Sequence, residues 1–176
     1  MKKIFAILAM GLAGTAFAGY ISVDAEHVSD RAGGANSTAQ YVRAGTELGG
    51  LSLGIQSRTA RFDNGNLVNS LEGTVGKRIG IFTPFVGVGH DNGFNGNNPF
   101  KYGLVGVTAG MPVGPGFALA GVKTRLRESD RDPKQTVTFA TYSIPVAKNV
   151  SVNLNVSRSD QTIKERAAGL GIGYNF

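Results

Sequence analysis

The chain has no cysteine in its 176 residues, so neither a disulfide framework nor a lipid-modified cysteine behind a leader is available to it. With two histidines far apart and no thiol, it also lacks the ligand spacing of a zinc site, and no cofactor is implied. Beyond residue 18 no run of about 18 apolar residues occurs, which excludes helical membrane spans. Charged residues make up 17% of the chain and form no block of one sign. The formal charge of +6 includes Lys2 and Lys3 at the extreme N-terminus, so the remaining basic excess is modest and dispersed, which gives no reason to expect nucleic acid as a partner. Tryptophan is absent too, which removes the usual furnisher of a membrane-interface belt.

Glycine is abundant instead, at 26 residues of 176, against about 7% in an average chain. These glycines are scattered through alternating segments, which excludes collagen-like and low-complexity organisation. The opening MKKIFAILAMGLAGTAFA places Lys2 and Lys3 before an apolar stretch and ends on Ala16-Phe17-Ala18, the small-x-small pattern of a cleavage site. It reads as a secretory signal peptide over residues 1–18, leaving residues 19–176 as a single domain.

From Gly19 onward, ten segments alternate apolar and polar side chains with the period of two that marks a β-strand. They run over Tyr20–Val28, Thr38–Leu48, Leu51–Arg61, Leu67–Lys77, Ile81–His90, Lys101–Met111, Phe117–Arg127, Gln135–Ile144, Val150–Ser157 and Ala167–Phe176. Each is close to the length a tilted strand needs to cross a bilayer. Tight links (GG, KRIG, PVGPG, PVAKN) follow the second, fourth, sixth and eighth segments, whereas longer polar loops such as HDNGFNGNNP and ESDRDPK lie between them. Short turns at one end and longer loops at the other predict an all-β, up-and-down antiparallel transmembrane barrel. About ten strands are expected, or eight if a hairpin is miscounted. A Greek-key sandwich would mix the two kinds of connection.

The last ten residues, AAGLGIGYNF, put Ala168, Leu170, Ile172, Tyr174 and Phe176 on one face and three glycines on the other. Left as a sheet edge, such a strand would invite pairing with other chains. Closure against the first strand removes the edge and turns the apolar face to lipid. Gly171-x-x-Tyr174-x-Phe176 resembles the terminal β-signal of outer-membrane barrel proteins, although Gly169 stands where that signal usually has a polar residue. Over residues 19–176 the chain resembles the small outer-membrane barrels of the OmpA-like and OmpX-like kind. That resemblance implies residence in the cell outer membrane, recognition by the barrel-insertion machinery, and contact with outer-membrane lipid and lipopolysaccharide.

If the apolar parity faces lipid, Val86, Val88, Val105, Val107, Ala120, Val122, Leu154 and Leu170 lie outside, and Phe82, Phe139, Tyr174 and Phe176 replace the missing tryptophan belt. The other parity carries Asp24, Glu26, Arg43, Glu47, Arg58, Glu72, Arg78, Lys123, Arg125 and Arg127 into the lumen, six bases against four acids. Charges of opposite sign in a narrow interior satisfy one another, and hairpin register suggests Asp24 with Arg43 and Glu72 with Arg58.

Several functions fit this pattern. The side chains fill the interior and the barrel serves a structural or surface role, as small barrels often do. Alternatively, the lumen is a narrow pore whose strip of Lys123, Arg125 and Arg127 favours anions. A third possibility is a lipid-modifying enzyme with Ser29 activated by His27 on the outer rim. His90 lies across the barrel and Glu165 has lumen parity, so no acid is placed to orient His27, and a non-enzymatic role is expected. A soluble barrel with an apolar ligand inside would need the two parities reversed. Basic loop residues such as Arg31 and Arg131 are expected to meet lipopolysaccharide phosphates.

Overall fold

The structure, a computed structural model, describes residues 19–30, 35–93, 96, 99–127, 134–160 and 165–176. The leader and the loop residues Arg31 and Arg131 fall outside the described residues. Ten strands follow one another: β1 (Gly19–Asp30), β2 (Ser37–Leu48), β3 (Leu51–Phe62), β4 (Leu67–Lys77), β5 (Phe82–Asp91), β6 (Phe100–Val113), β7 (Gly116–Arg127), β8 (Gln135–Ala147), β9 (Val150–Asp160) and β10 (Glu165–Asn175). Every strand pairs antiparallel with its neighbours in sequence. The sheet closes where β10 pairs with β1, from Tyr20 opposite Asn175 to Asp30 opposite Glu165. It is the ten-stranded up-and-down barrel, not the eight-stranded alternative.

Local chemistry sets where the chain reverses. Gly49 and Gly50 form the whole β2–β3 turn with φ of 59° and 79°, a left-handed pair that glycine adopts without steric penalty. Pro84, Pro112 and Pro145 all lie near the short-turn ends of their strands, where a missing N–H costs the ladder least, and the β8–β9 register shifts between Pro145 and Ala147.

The wall is inverted relative to a water-soluble protein. Its outer side carries Val88 at 70%, Ile172 at 63% and Leu170 at 60% exposure, together with Val86, Val105, Val122 and Leu154. The buried set on the inner side includes Asp24, Glu26, Glu72, Asn153 and Asn155. An apolar belt this extensive requires a nonaqueous surrounding, and a closed barrel leaves no backbone edge unpaired within it. A lipocalin-like arrangement has the opposite polarity.

One aromatic breaks the expected pattern. Phe139 faces inward, with its ring over Gly121, just as Phe85 lies over Gly106 and Phe117 over Gly110. In β8, Val137 and Phe139 share one parity while Tyr142 and Ile144 share the other, so alternation alone leaves its faces ambiguous. Among the described residues the outward aromatics are Phe82, Tyr142, Tyr174 and Phe176, all near the end that bears the termini and short turns.

Candidate functional site: a charged belt around the lumen

Two carboxylate centres organise the inner wall. Asp24 on β1 accepts hydrogen bonds from Arg43 Nη1 at 2.6 Å, Ser22 Oγ at 2.9 Å and Asn155 Nδ2 at 2.8 Å. The same guanidinium reaches Glu26 at 3.2 Å through Nη2 and Gln56 Oε1 at 3.0 Å through Nε. Glu72 on β4 is the second centre. It accepts from Lys123 Nζ at 2.5 Å, Arg125 Nη2 at 2.5 Å and Nε at 2.9 Å, and the Tyr102 hydroxyl at 3.0 Å.

Side-chain amides join the two. Gln56 donates to Glu72 at 3.4 Å, Arg125 donates to Gln135 at 2.8 Å, and Gln135 donates to Ser159 at 3.2 Å. The resulting belt draws on β1 to β4 and β6 to β9. Strands β5 and β10 supply glycine at this level. A Cβ on Gly89 would enter the Tyr102 ring, one on Gly169 would meet Glu26, and one on Gly171 would meet the Asp24 carboxylate. The bare inner face of β10 therefore receives the acids of β1. On the two strands between them, Gly89 lies under the Tyr102 ring and Gly106 under the Phe85 ring, and Lys123 and Arg125 reach across both strands to Glu72.

Several expectations change. Glu72 does not pair with Arg58: Gln56 stands opposite Glu72 in register, Arg58 stands opposite Ser70, and Arg58 Nε donates instead to the Tyr41 hydroxyl at 3.1 Å. Arg78 lies exposed in the β4–β5 turn, donating to the Gly80 carbonyl at 3.2 Å, because β4 ends at Lys77 and parity has no meaning beyond it. Glu47 keeps inward parity but sits exposed at the rim. Arg127 lies over the Phe100 ring, 4.3 Å from its centre, near the loop end.

A cavity of about 1570 Å³ is lined by residues from both ends of the strands, from Tyr20, Ser52 and Asn175 at the terminal end to Asp30, Asn66 and Asp91 at the loop end. Among the described residues its charged lining comprises Arg43, Arg58, Lys123, Arg125 and Arg127 against Asp24, Glu26, Asp30, Glu72, Asp91 and Glu165. Without Arg78 and Glu47 and with three acids at the loop end, the expected six bases against four acids become five against six, while the strip of Lys123, Arg125 and Arg127 stays on the inner wall. Strand-end parity was the signal for Asp30, Asp91 and Glu165.

The residues proposed for catalysis do not assemble. His27 is exposed on the outer surface, flanked in register by Thr38 and Ala168, and Ser29 Oγ donates to the Arg166 carbonyl at 3.3 Å. No carboxylate adjoins His27 among the described outward side chains. At the C-terminus, Tyr174 and Phe176 face outward, and the backbone of Phe176 exchanges hydrogen bonds with Gly19 at 2.9 and 3.0 Å. Gly171 faces inward beneath Asp24, so it has a packing role of its own.

No protein-family model matches the chain, and no curated protein sequence does. Solved structures do resemble it. The β domain of the Bordetella autotransporter BrkA aligns over 91% of this chain and 99% of its own at 9% identity, with a TM-score of 0.53. The translocator domain of the autotransporter NalP from Neisseria meningitidis aligns over 99% and 94% at 13% identity, with a TM-score of 0.48. Neisserial surface protein A aligns over 92% and 98% at 10% identity, with a TM-score of 0.46. At such identities the likeness concerns the fold, and the closed ten-stranded antiparallel wall with its apolar exterior is the fold of the small outer-membrane β-barrels.

Proposed function

We propose that residues 19–176, freed of the leader, form a non-enzymatic outer-membrane barrel that acts as a narrow aqueous passage for small ions with little charge preference. The observation that carries this reading is the cavity lined by residues from both rims. The belt narrows that cavity, and its near balance of acids and bases offers neither sign of ion a continuous favourable path. Tyr174 and Phe176 serve recognition by the insertion machinery in this reading, and lipopolysaccharide surrounds the loop end.

The test is conductance of the folded mature protein in a planar bilayer under a salt gradient. Small, steady openings with a reversal potential near zero are expected. Lys123→Ala combined with Arg125→Ala removes two bases from the belt and leaves Glu72, so conductance should rise and selectivity should turn toward cations. Silence from a folded, heat-modifiable barrel would overturn the passage. The second reading would then stand, in which the hydrogen-bonded bridge from β7 to β4 plugs the lumen and the barrel is structural.

A further inference from the structure

The outer surface has two rims of different chemistry. Its aromatics cluster at the end with the termini, whereas the loop end presents Arg61, His90, Lys101, Arg158 and Arg166. Among the described strand side chains no carboxylate faces outward. The longer loops mark the outer-leaflet side of such a barrel.

On this cationic rim, β3 to β6 frame a depression of about 560 Å³, lined on its outer side by Ile55, Leu71, Gly73, Val88, Lys101 and Gly103, with His90 at the same edge as Lys101 and the inward-facing Glu72 in the wall behind. Gly73 and Gly103 both stand opposite Val88 in register, one on each side, and leave it a ridge between two furrows. His90 stands opposite Lys101, one pleat nearer the loops.

The glycines here differ from those inside the barrel. Gly89, Gly169 and Gly171 each make room for a neighbouring side chain. A Cβ on Gly73 would meet nothing within 4 Å, and one on Gly103 would only touch Leu126 at 4.0 Å. Glycine weakens a strand interior, and no contact within the protein requires it at these two positions.

We propose that this depression seats one lipopolysaccharide molecule, with acyl chains lying in the furrows beside Val88 and a lipid A phosphate held by Lys101 with His90 as second donor. Phosphate on a lysine ammonium is a charge-assisted contact, and a basic edge above apolar furrows matches an anionic, multiply acylated lipid. A second copy of this chain fits less well, because a twofold contact here would bring two Lys101–His90 pairs together. Among the described strand side chains a zwitterionic lipid finds no outward carboxylate for its ammonium. The proposal rests on outer-membrane placement and is independent of conduction.

Purified mature barrel in detergent is mixed with bis-phosphorylated lipid A, phosphatidylglycerol or phosphatidylethanolamine, and retained lipids are counted by native mass spectrometry. One lipid A should be retained, about tenfold more tightly than either phospholipid. Gly73→Leu with Gly103→Leu fills the furrows from positions where an added Cβ meets no close neighbour, and Lys101→Gln removes the charge. Each should cut retention about tenfold while heat-modifiability and conductance stay as in the parent. Equal retention by the furrow-filled variant, equal retention of phosphatidylglycerol, or loss only in an Arg158→Ala, Arg166→Ala variant would each overturn the proposal. A dimer mass lost on furrow filling would assign the depression to a second copy instead.

Discussion

The two centres of the belt are built at different ranges and carry opposite imbalances. Asp24 and Arg43 lie on adjacent strands, 19 residues apart, whereas Glu72 meets Lys123 and Arg125 from 51 and 53 residues away across two intervening strands. At the first centre two carboxylates share one guanidinium, with Ser22, Asn153 and Asn155 donating to Asp24 as well. At the second, one carboxylate serves an ammonium and a guanidinium. The local excess is negative in one place and positive in the other, and Gln56 hydrogen-bonds to both, accepting from Arg43 and donating to Glu72. Neither centre is neutral alone, so each offsets the other across the lumen.

That asymmetry ranks the substitutions. Glu72→Ala should cost most, about 3–5 kcal/mol, because it leaves two part-buried cations without their carboxylate. Urea unfolding of the barrel in lipid vesicles measures it. If the variant is as stable as the parent, the cross-lumen bridge contributes nothing to holding β4 against β7.

A charge on the other side of the wall makes a contrast. Leu154, at the middle of β9, faces outward and is 42% exposed. Leu154→Arg should cost about 2–4 kcal/mol at mid-bilayer, in the same assay, despite breaking no hydrogen bond. Tolerance of arginine there would mean that the exposed side is not the lipid side.

The strands and their faces were legible because a period of two is local and repeats ten times. The Asp24–Arg43 pair was legible for the same reason, since hairpin register fixes which residues of adjacent strands lie diagonal to one another. Glu72's partners were not, because contacts across a lumen depend on the tilt and stagger with which the sheet closes, and the order of strands does not specify these. The Arg58–Glu72 pair has the same diagonal register as Asp24–Arg43 and still does not form, because Arg58 donates to Tyr41 and Glu72 is taken up by Lys123 and Arg125 from across the lumen. Phe139 failed because threonines occupy both faces of β8, and Arg78 because alternation was carried past the end of its strand.

At the first centre the cost should be smaller. Asp24→Ala leaves Arg43 with Glu26, so a loss of about 1–3 kcal/mol is expected, below that of Glu72→Ala. Gly171→Ala approaches the same centre from β10, since its methyl would press on the Asp24 carboxylate, and about 1–3 kcal/mol is again expected. In an Asp24→Ala background that penalty should largely vanish. A full penalty in the double variant would assign Gly171 to another role, such as insertion, and folding yield in the presence of the insertion machinery would then be the measurement to make.

The smallest effect on stability belongs to Arg58, which stands outside both centres. It is held by the Tyr41 hydroxyl, and its guanidinium lies 5.9 Å from the centre of the Tyr41 ring. Arg58→Met keeps the length of the side chain and should change stability by less than about 1 kcal/mol. Its charge nevertheless lines the cavity, where it helps balance the acids at the loop end. Removing it should shift the reversal potential toward cation preference while leaving the conductance close to the parent's, because the bridge that narrows the lumen is untouched. A shift in selectivity without a loss of stability would separate the charges that tune the passage from those that hold the wall. A loss of stability as large as that of Asp24→Ala would mean instead that Arg58 is a third centre of the belt.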